Sequence, residues 1–369
     1  MEKRHRYKNI FLYSSLQFAG NIEEYFAKHT KKLVAFIVMP RLKNKGNLLR
    51  VYERGKLIEE KKIWSSENIF LYYGFWYFFY IYFIFKYFSR NEKLIVYSGH
   101  PISFFGMSIQ KLFRNIVFVY FVGDYFPPIS LSLWLFEKLK KYYHDRIHYC
   151  CYLSDRINRK LNGIILNTPF RKTVMWGVNA RPIRRETNRH NFSFLFVGQI
   201  TDSQGLDFFY EFLKSHKEYS IKIIGICDEA LYKKHQKLIK DYDIISQVYF
   251  PNKFFSKKEL DEISKSCHVG VALYKVSKRS ATYYTDPGKV KAYAEMGLPI
   301  IMSDTSAIVP YISKFKAGEI VKLDEISLEK AIIAISSNYP LYKKGIEDFS
   351  RFFYYEKYYK ESFAFLENI

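Results

Sequence analysis

Cysteine is sparse: Cys150, Cys151, Cys227 and Cys267 are the only four, and none stands in a C-x-x-C or Cys/His spacing. Neither a zinc site nor a disulfide framework is indicated, and a reducing, cytosolic setting is the expectation. Acidic residues are short as well, 36 Asp plus Glu against 58 Lys plus Arg, for a formal net charge of +22. That deficit points to an anionic partner: nucleic acid, an acidic membrane surface or a phosphorylated substrate. No recognised motif or concentrated basic stripe supports nucleic acid, so none is expected. No Asp-x-Asp pair is positioned as a metal site, and no metal is expected. The apolar run after the basic start at Met1 is too short for a secretory signal.

What is abundant is aromatic: 19% of the chain, with 34 Phe and 33 Tyr. Rings beside Lys and Arg suit a membrane interface, where ring faces bury and cations meet lipid phosphates. Drift in composition is a blander account of part of the bias, because Lys, Ile, Asn, Tyr and Phe rise together. Residues Ile69 to Phe85 run 17 residues without a charge. As a helix they extend about 26 Å, short of the roughly 20 residues of a full span. Three readings stay open: a helix dipping into the membrane surface, a helix buried in protein, and a span.

Apolar runs at Ile10–Ser14, Leu33–Met39, Leu94–Tyr97 and Ile116–Phe121 read as strands that end in turn residues, with helices between them. Residues 50–64 read as a hairpin or an excursion. The pattern restarts at Phe192–Val197 and continues at 220–226, 247–250, 269–273 and 299–302. Strands alternating with helices predict α/β architecture: two Rossmann-like domains, each a mostly parallel sheet covered on both faces. The expected boundaries are 1–180 for an acceptor- and membrane-side domain, 181–191 for a polar, basic linker, and 192–350 for a nucleotide-sugar domain. A C-terminal helix over 351–369 would pack back on the first domain. A ligand is expected in a cleft between the domains, at the carboxyl ends of the strands.

The most specific stretch is Thr285–Asp304, TDPGKVKAYAEMGLPIIMSD. Asp286 or Thr285 fits a helix cap, Pro287 the first turn, and Gly297 the end before the next strand. Lys289 in the first turn makes the helix N-terminus suited to phosphate, while a solvated lysine beside a plain cap is the blander reading. Here the chain resembles the GT-B glycosyltransferases, in particular the retaining group that uses nucleotide-sugar donors (family GT4). Pro287-Gly288-Lys289 through Tyr293, Gly297 and Pro299 resembles "PsKlfEYlaaGkPvi". FLFVGQITDSQGLDFF resembles the strand, glycine and loop leading into that family's "KG" helix, and Met175–Asn179 resembles its "nGVD" turn. Ser98-Gly99-His100 and Gly123-Asp124 fall after strands where the family places "HxH"-like and "HD"-like elements.

The resemblance implies transfer of a sugar from a nucleoside-diphosphate sugar, as co-substrate with no other cofactor, to a saccharide acceptor. That acceptor is expected to be lipid-linked, in bacterial surface polysaccharide synthesis. The expected location is cytoplasmic, peripheral at the inner face of the membrane. The donor would meet Gly20, Gly198, Gln199, Gln204, Asp286, Gly288 and Lys289; Asp124 and His100 would act on the acceptor side. The chain departs from the family where cations hold the pyrophosphate, carrying Gln199 and Gln204. It departs again where glutamates are expected, carrying Tyr284 and Ala292. A divergent donor site, a different nucleotide and an inactive copy each fit these departures. In the last case the chain would be a non-catalytic GT-B-like subunit that binds a membrane or a partner. An epimerase acting on a free nucleotide sugar is a further reading, because fold alone does not fix chemistry. Lys289, with Lys278 or Arg279, would then carry more of the phosphate charge. Lys291, two residues on and on another face of the same helix, is expected to matter little when replaced by Ala.

Overall fold

The computed structural model describes residues 5–15, 20–38, 47–128, 130–179, 192–275, 277 and 280–369. Residues 181–191, read as a linker, and Lys278 and Arg279 lie outside the described residues. The described chain forms two compact units, residues 1–177 with 355–369, and residues 178–354.

The first unit is built on eight strands: β1 (Tyr7–Ser15), β2 (Thr30–Val38), β3 (Asn47–Glu53), β4 (Lys56–Ile63), β5 (Leu94–Ser98), β6 (Ile116–Val122), β7 (Tyr149–Tyr152) and β8 (Arg171–Thr173). Their order is β4-β3-β2-β1-β5-β6-β7-β8. All neighbours from β2 to β8 pair in parallel. β1 is central, with Ile10 opposite both Leu33 and Ile95. It is covered on both faces, which is why Ile10–Tyr13 read as an unbroken apolar run rather than an alternation.

The polar stretch 50–64 is a hairpin. Arg54 and Gly55 both take positive φ, 51° and 84°, as a tight antiparallel turn requires. β4 (KLIEEKKI) is an edge strand, and its charges protect that edge from further pairing. Because parallel crossovers are right-handed, connections leading left and right from β1 lie on opposite faces of the sheet. Helix Ile22–His29 joins helix Tyr355–Ser362 on one face, where Phe26 and Phe363 meet the Tyr97 ring at 5.4 and 5.7 Å. Helices Ile69–Tyr87 and Leu131–Arg146 lie on the other. There Tyr80 meets Phe11 at 5.5 Å, Phe83 meets Phe36 at 5.2 Å, and Phe104, just before helix Met107–Phe113, meets Tyr120 at 4.9 Å.

The charge-free run at Ile69 is thus a domain helix, 19 residues long with Asn68 capping the Phe70 and Leu71 N–H groups. Among the described residues no helix is long and apolar enough to cross a membrane. The four cysteines are free thiols.

The second unit holds six strands, all parallel: β9 (Ser193–Val197), β10 (Ser220–Ile224), β11 (Val248–Tyr249), β12 (Val269–Ala272), β13 (Ile300–Ser303) and β14 (Gly318–Val321). Their order, β11-β10-β9-β12-β13-β14, reverses direction between β9 and β12. Such a switch point is where open α/β sheets receive ligands. Phe194, Phe196, Phe209, Ile221, Val271 and Ile301 are among the side chains of its core.

Candidate functional site

At the switch point of the second unit, helix Gly288–Glu295 crosses the ends of β9 and β12. Tyr293 clamps it there. Its hydroxyl accepts the Val197 N–H at 3.1 Å and donates to the Val271 carbonyl at 2.8 Å. Gly270 makes room for the ring, since a Cβ at that position would lie 2.3 Å from it. Lys289 stands one turn before Tyr293 on the same helix face, so the clamp also aims the lysine at the end of β9. Its Nζ donates to Gln204 Oε1 at 2.5 Å and lies 3.8 and 5.1 Å from the centres of the Phe196 and Tyr274 rings. Gly198, with φ of 126°, leaves the space that Lys289 Cε borders, 3.7 Å from where a Cβ would sit.

By surface area Lys289 is only partly covered, but protein crowds its ammonium and pushes its pKa down to about 7. Among the described residues no carboxylate forms an ion pair with it. Gly198, Gln204 and Lys289 thus converge. Gln199 and Gly288 are exposed, one following Gly198 and the other opening the helix.

Two expectations for this helix are corrected. Pro287, not Asp286 or Thr285, is the N-cap residue, and no side chain caps the helix. Lys291 is not a residue of little consequence: it is 3% exposed, its Nζ 3.4 Å from Asp286 Oδ2 and 3.2 Å from the centre of the Phe353 ring. The reason is the later helix Tyr339–Phe352, which covers that face with Phe349 and Phe353. Burial pushes Lys291 down to about 8 against the opposing pull of Asp286. Asp286 is buried with this lysine as an ion-pair partner, and its charge also acts on Tyr274, whose ring packs on Lys289. Tyr284 ends the short helix Ala281–Tyr284, and Ala292 is half-buried on helix Gly288–Glu295.

In the first unit His100 and Asp124 follow β5 and β6, at the carboxyl ends of adjacent strands. His100 Nδ1 accepts the Ile102 N–H at 3.2 Å, and its ring sits among Trp76, Tyr73 and Phe136. Burial, with Lys140 adding to it, pushes His100 down to about 4, so the imidazole is neutral at pH 7. Asp124 is exposed in area, although protein around its carboxyl raises its pKa against the pull of Lys140. The exposure argues for a small effect. Lys140, which sequence reading passed over, is 6% exposed. It binds Glu137 Oε1 at 2.8 Å and donates to the Asp124 carbonyl. Glu137 also accepts the Phe126 N–H at 3.1 Å, so this pair fixes the Asp124 loop. Its only trace in the sequence is the i, i+3 spacing of opposite charges. Gly20 has φ of 69°, and a Cβ there would lie within 2.9 Å of Gly177, Trp176 and the Tyr359 hydroxyl. Close packing inside the unit therefore demands glycine at this position.

No group of three or more His, Cys, Asp or Glu among the described residues is arranged to hold a metal ion.

No protein-family model matches the sequence, and no curated protein is similar to it by sequence. Solved structures are similar to it throughout. Sucrose-phosphate synthase from Thermosynechococcus elongatus superposes with a TM-score of 0.70 at 14% identity, over 96% of this chain and 99% of that one. Anabaena HepE, crystallised with UDP, gives 0.64 at 9% identity, over 98% and 100%. WaaG, a glycosyltransferase involved in lipopolysaccharide biosynthesis, gives 0.57 at 13%, over 97% and 98%. The chain has the GT-B fold of these glycosyltransferases.

Proposed function

We propose that the protein is a glycosyltransferase that moves a sugar from a nucleoside-diphosphate donor to a saccharide acceptor. The observation that carries this reading is the Gly198–Gln204–Lys289 cluster at the switch point of the second unit: an ammonium with no carboxylate partner among the described residues, beside a glycine and a helix N-terminus. Breaking a sugar–phosphate bond leaves a diphosphate whose charge grows as the bond lengthens, and fixed positive charge at that point lowers the barrier. Lys289 supplies that charge, the exposed Gly288 end of its helix adds backbone N–H groups, and Gln199 and Gln204 contribute hydrogen bonds without charge. In this reading the leaving group needs no bound metal. Asp286 acts from beneath, through Lys291, by holding the helix in place.

On the first unit Asp124 faces the acceptor hydroxyl and neutral His100 orders the neighbouring turn, while Gly20 sets the backbone after β1. Retention of configuration, a lipid-linked acceptor, a role in surface polysaccharide synthesis and a peripheral position on the cytoplasmic side of a membrane complete the proposal. They rest on the family resemblance and on the basic, aromatic first unit. The glutamines at 199 and 204 favour one second reading, a non-catalytic GT-B-like subunit.

A thermal-shift panel of nucleoside diphosphates and nucleotide sugars separates the two, because a ligand of the folded state raises the melting temperature. One sugar nucleotide that stabilises the protein and is slowly hydrolysed or transferred is the expected result. No shift with any of them would sink the enzyme reading.

A further inference from the structure

Three helices on one face of the first sheet bury one side and present apolar side chains on the other. On helix Ile69–Tyr87, Tyr72, Trp76, Tyr80 and Phe83 are buried, while Phe78 is 59% and Phe85 54% exposed. Leu112 on helix Met107–Phe113 is 79% exposed, and Leu131 and Trp134 on helix Leu131–Arg146 are 72% and 45% exposed. The helices adjoin. Tyr77 donates to the Phe105 carbonyl at 3.0 Å, the Arg114 guanidinium lies 4.5 Å over the Phe85 ring, and Phe104 meets Tyr143 at 5.8 Å. Scattered exposed apolar residues need no explanation, but large apolar side chains exposed together on three adjoining helices mark an interaction site.

We infer that this face docks on an anionic lipid bilayer, with the rings and leucines entering to interface depth. The inference deepens the membrane part of the function proposed above and rests on it for the nature of the partner. Charge selects lipid over protein here. Lys86, Lys111, Lys138 and Arg146 are exposed on these helices, whereas Glu137 is turned inward to Lys140 and Asp145 is paired with Lys141 at 3.0 Å. Cations flanking exposed rings match lipid phosphates above an apolar layer. A second copy would bring the same positive charge against itself, which disfavours dimerisation through this face.

The test is flotation of the full chain with vesicles of phosphatidylglycerol and phosphatidylcholine, with phosphatidylcholine alone for comparison. Phe78→Asp combined with Leu112→Asp removes two exposed apolar side chains and should weaken binding at least about tenfold, given the area each buries. Lys8→Glu with Lys31→Glu, in the basic groove shared with Arg6, Lys28 and Arg54 where β1 and β2 begin, should leave the apolar attachment intact. A blue shift of Trp fluorescence on adding anionic vesicles, lost in Trp134→Phe, reports insertion in otherwise native protein. Unchanged melting curves and nucleotide response confirm that each variant is folded. If the groove variant loses binding and the helix-face variant keeps it, the surface assigned here is wrong while membrane attachment stands. If the native protein fails to float even at low salt, both fall, and the nucleotide panel still decides the enzyme reading. A dimer abolished by Phe78→Asp with Leu112→Asp, in protein that ignores lipid, overturns the inference in favour of a second copy.

Discussion

Lys289 is held with its ammonium against the rings of Phe196 and Tyr274 and one amide oxygen, contacts that favour the charged form, but burial outweighs them and favours the neutral amine. Its pKa of about 7 lies below that of an ordinary lysine, so above pH 7 an arriving diphosphate must draw a proton onto it. Affinity for a nucleoside diphosphate should therefore be flat below pH 7 and fall by up to about tenfold per unit above it. Titration calorimetry in two buffers of different ionisation heat should show proton uptake on that limb. Lys289→Arg should flatten the profile, because the guanidinium stays charged. Lys289→Ala should lower turnover about 10²–10³-fold, as for loss of one preorganised charge. The position of Lys289 was legible, because Pro287, Gly297 and Pro299 frame its helix in the sequence. The role of Lys291 was not, because the Phe349 and Phe353 rings that cover it come from a helix some sixty residues later. Lys291→Ala should leave the Asp286 carboxylate buried without its ion-pair partner and cost about 3–5 kcal/mol. Urea unfolding of the two variants should show that cost for Lys291→Ala and little change for Lys289→Ala.

At the scale of the element, helix Ile69–Tyr87 shows why a length can be read from a sequence when a face cannot. The absence of charge between Glu67 and Lys86 announced the helix. Sidedness is normally read from the contrast between apolar and polar positions, and a run made almost wholly of Phe, Tyr, Ile and Leu offers none. The structure supplies it: Tyr80 is fully buried with its hydroxyl on Gln110 at 3.0 Å, while Tyr82, two residues on, is 45% exposed. Tyr80→Ala should destabilise the first unit by about 3–5 kcal/mol, as for other buried aromatic truncations, with the lost hydrogen bond leaving Gln110 short of a partner. Tyr82→Ala should change stability in lipid-free buffer by less than about 0.5 kcal/mol. Equal costs for the two in thermal unfolding would mean that the helix packs through a different face. The neighbouring hairpin was legible only as one of two readings of the alternation over 50–64, and the structure takes it, with Arg54 and Gly55 at the turn.

Across the whole molecule, the alternation of strands and helices was enough to read two α/β sheets, and the resemblance carried by Pro287–Pro299 implied the GT-B kind. Strand order was not readable, because it depends on which apolar runs find each other across long connections. The last fifteen residues, Tyr355–Ile369, belong to the first unit although they follow the second in sequence. Physical attachment runs through Tyr359. Its hydroxyl donates to the Gly20 carbonyl and accepts the Gly177 N–H, each at 2.7 Å, and its ring meets Tyr25 at 5.6 Å. Arg6 with Glu367, and His29 and Lys28 with Glu356, add ion pairs around it. Tyr359→Phe keeps the ring but strands a buried N–H and a carbonyl, a loss of about 1–3 kcal/mol for each group left without a partner. Ending the chain after Tyr354 goes further, exposing Tyr25, Phe26 and Tyr97 where Tyr359 and Phe363 now cover them. Both changes should lower the melting temperature of the first unit, the truncation far more. The second unit, whose sheet and core lie wholly within residues 178–354, should keep its own transition and its stabilisation by nucleotide. Scanning calorimetry with and without nucleoside diphosphate resolves the two, and a truncation that shifts only the nucleotide-responsive transition would show that the C-terminal segment supports the second unit instead.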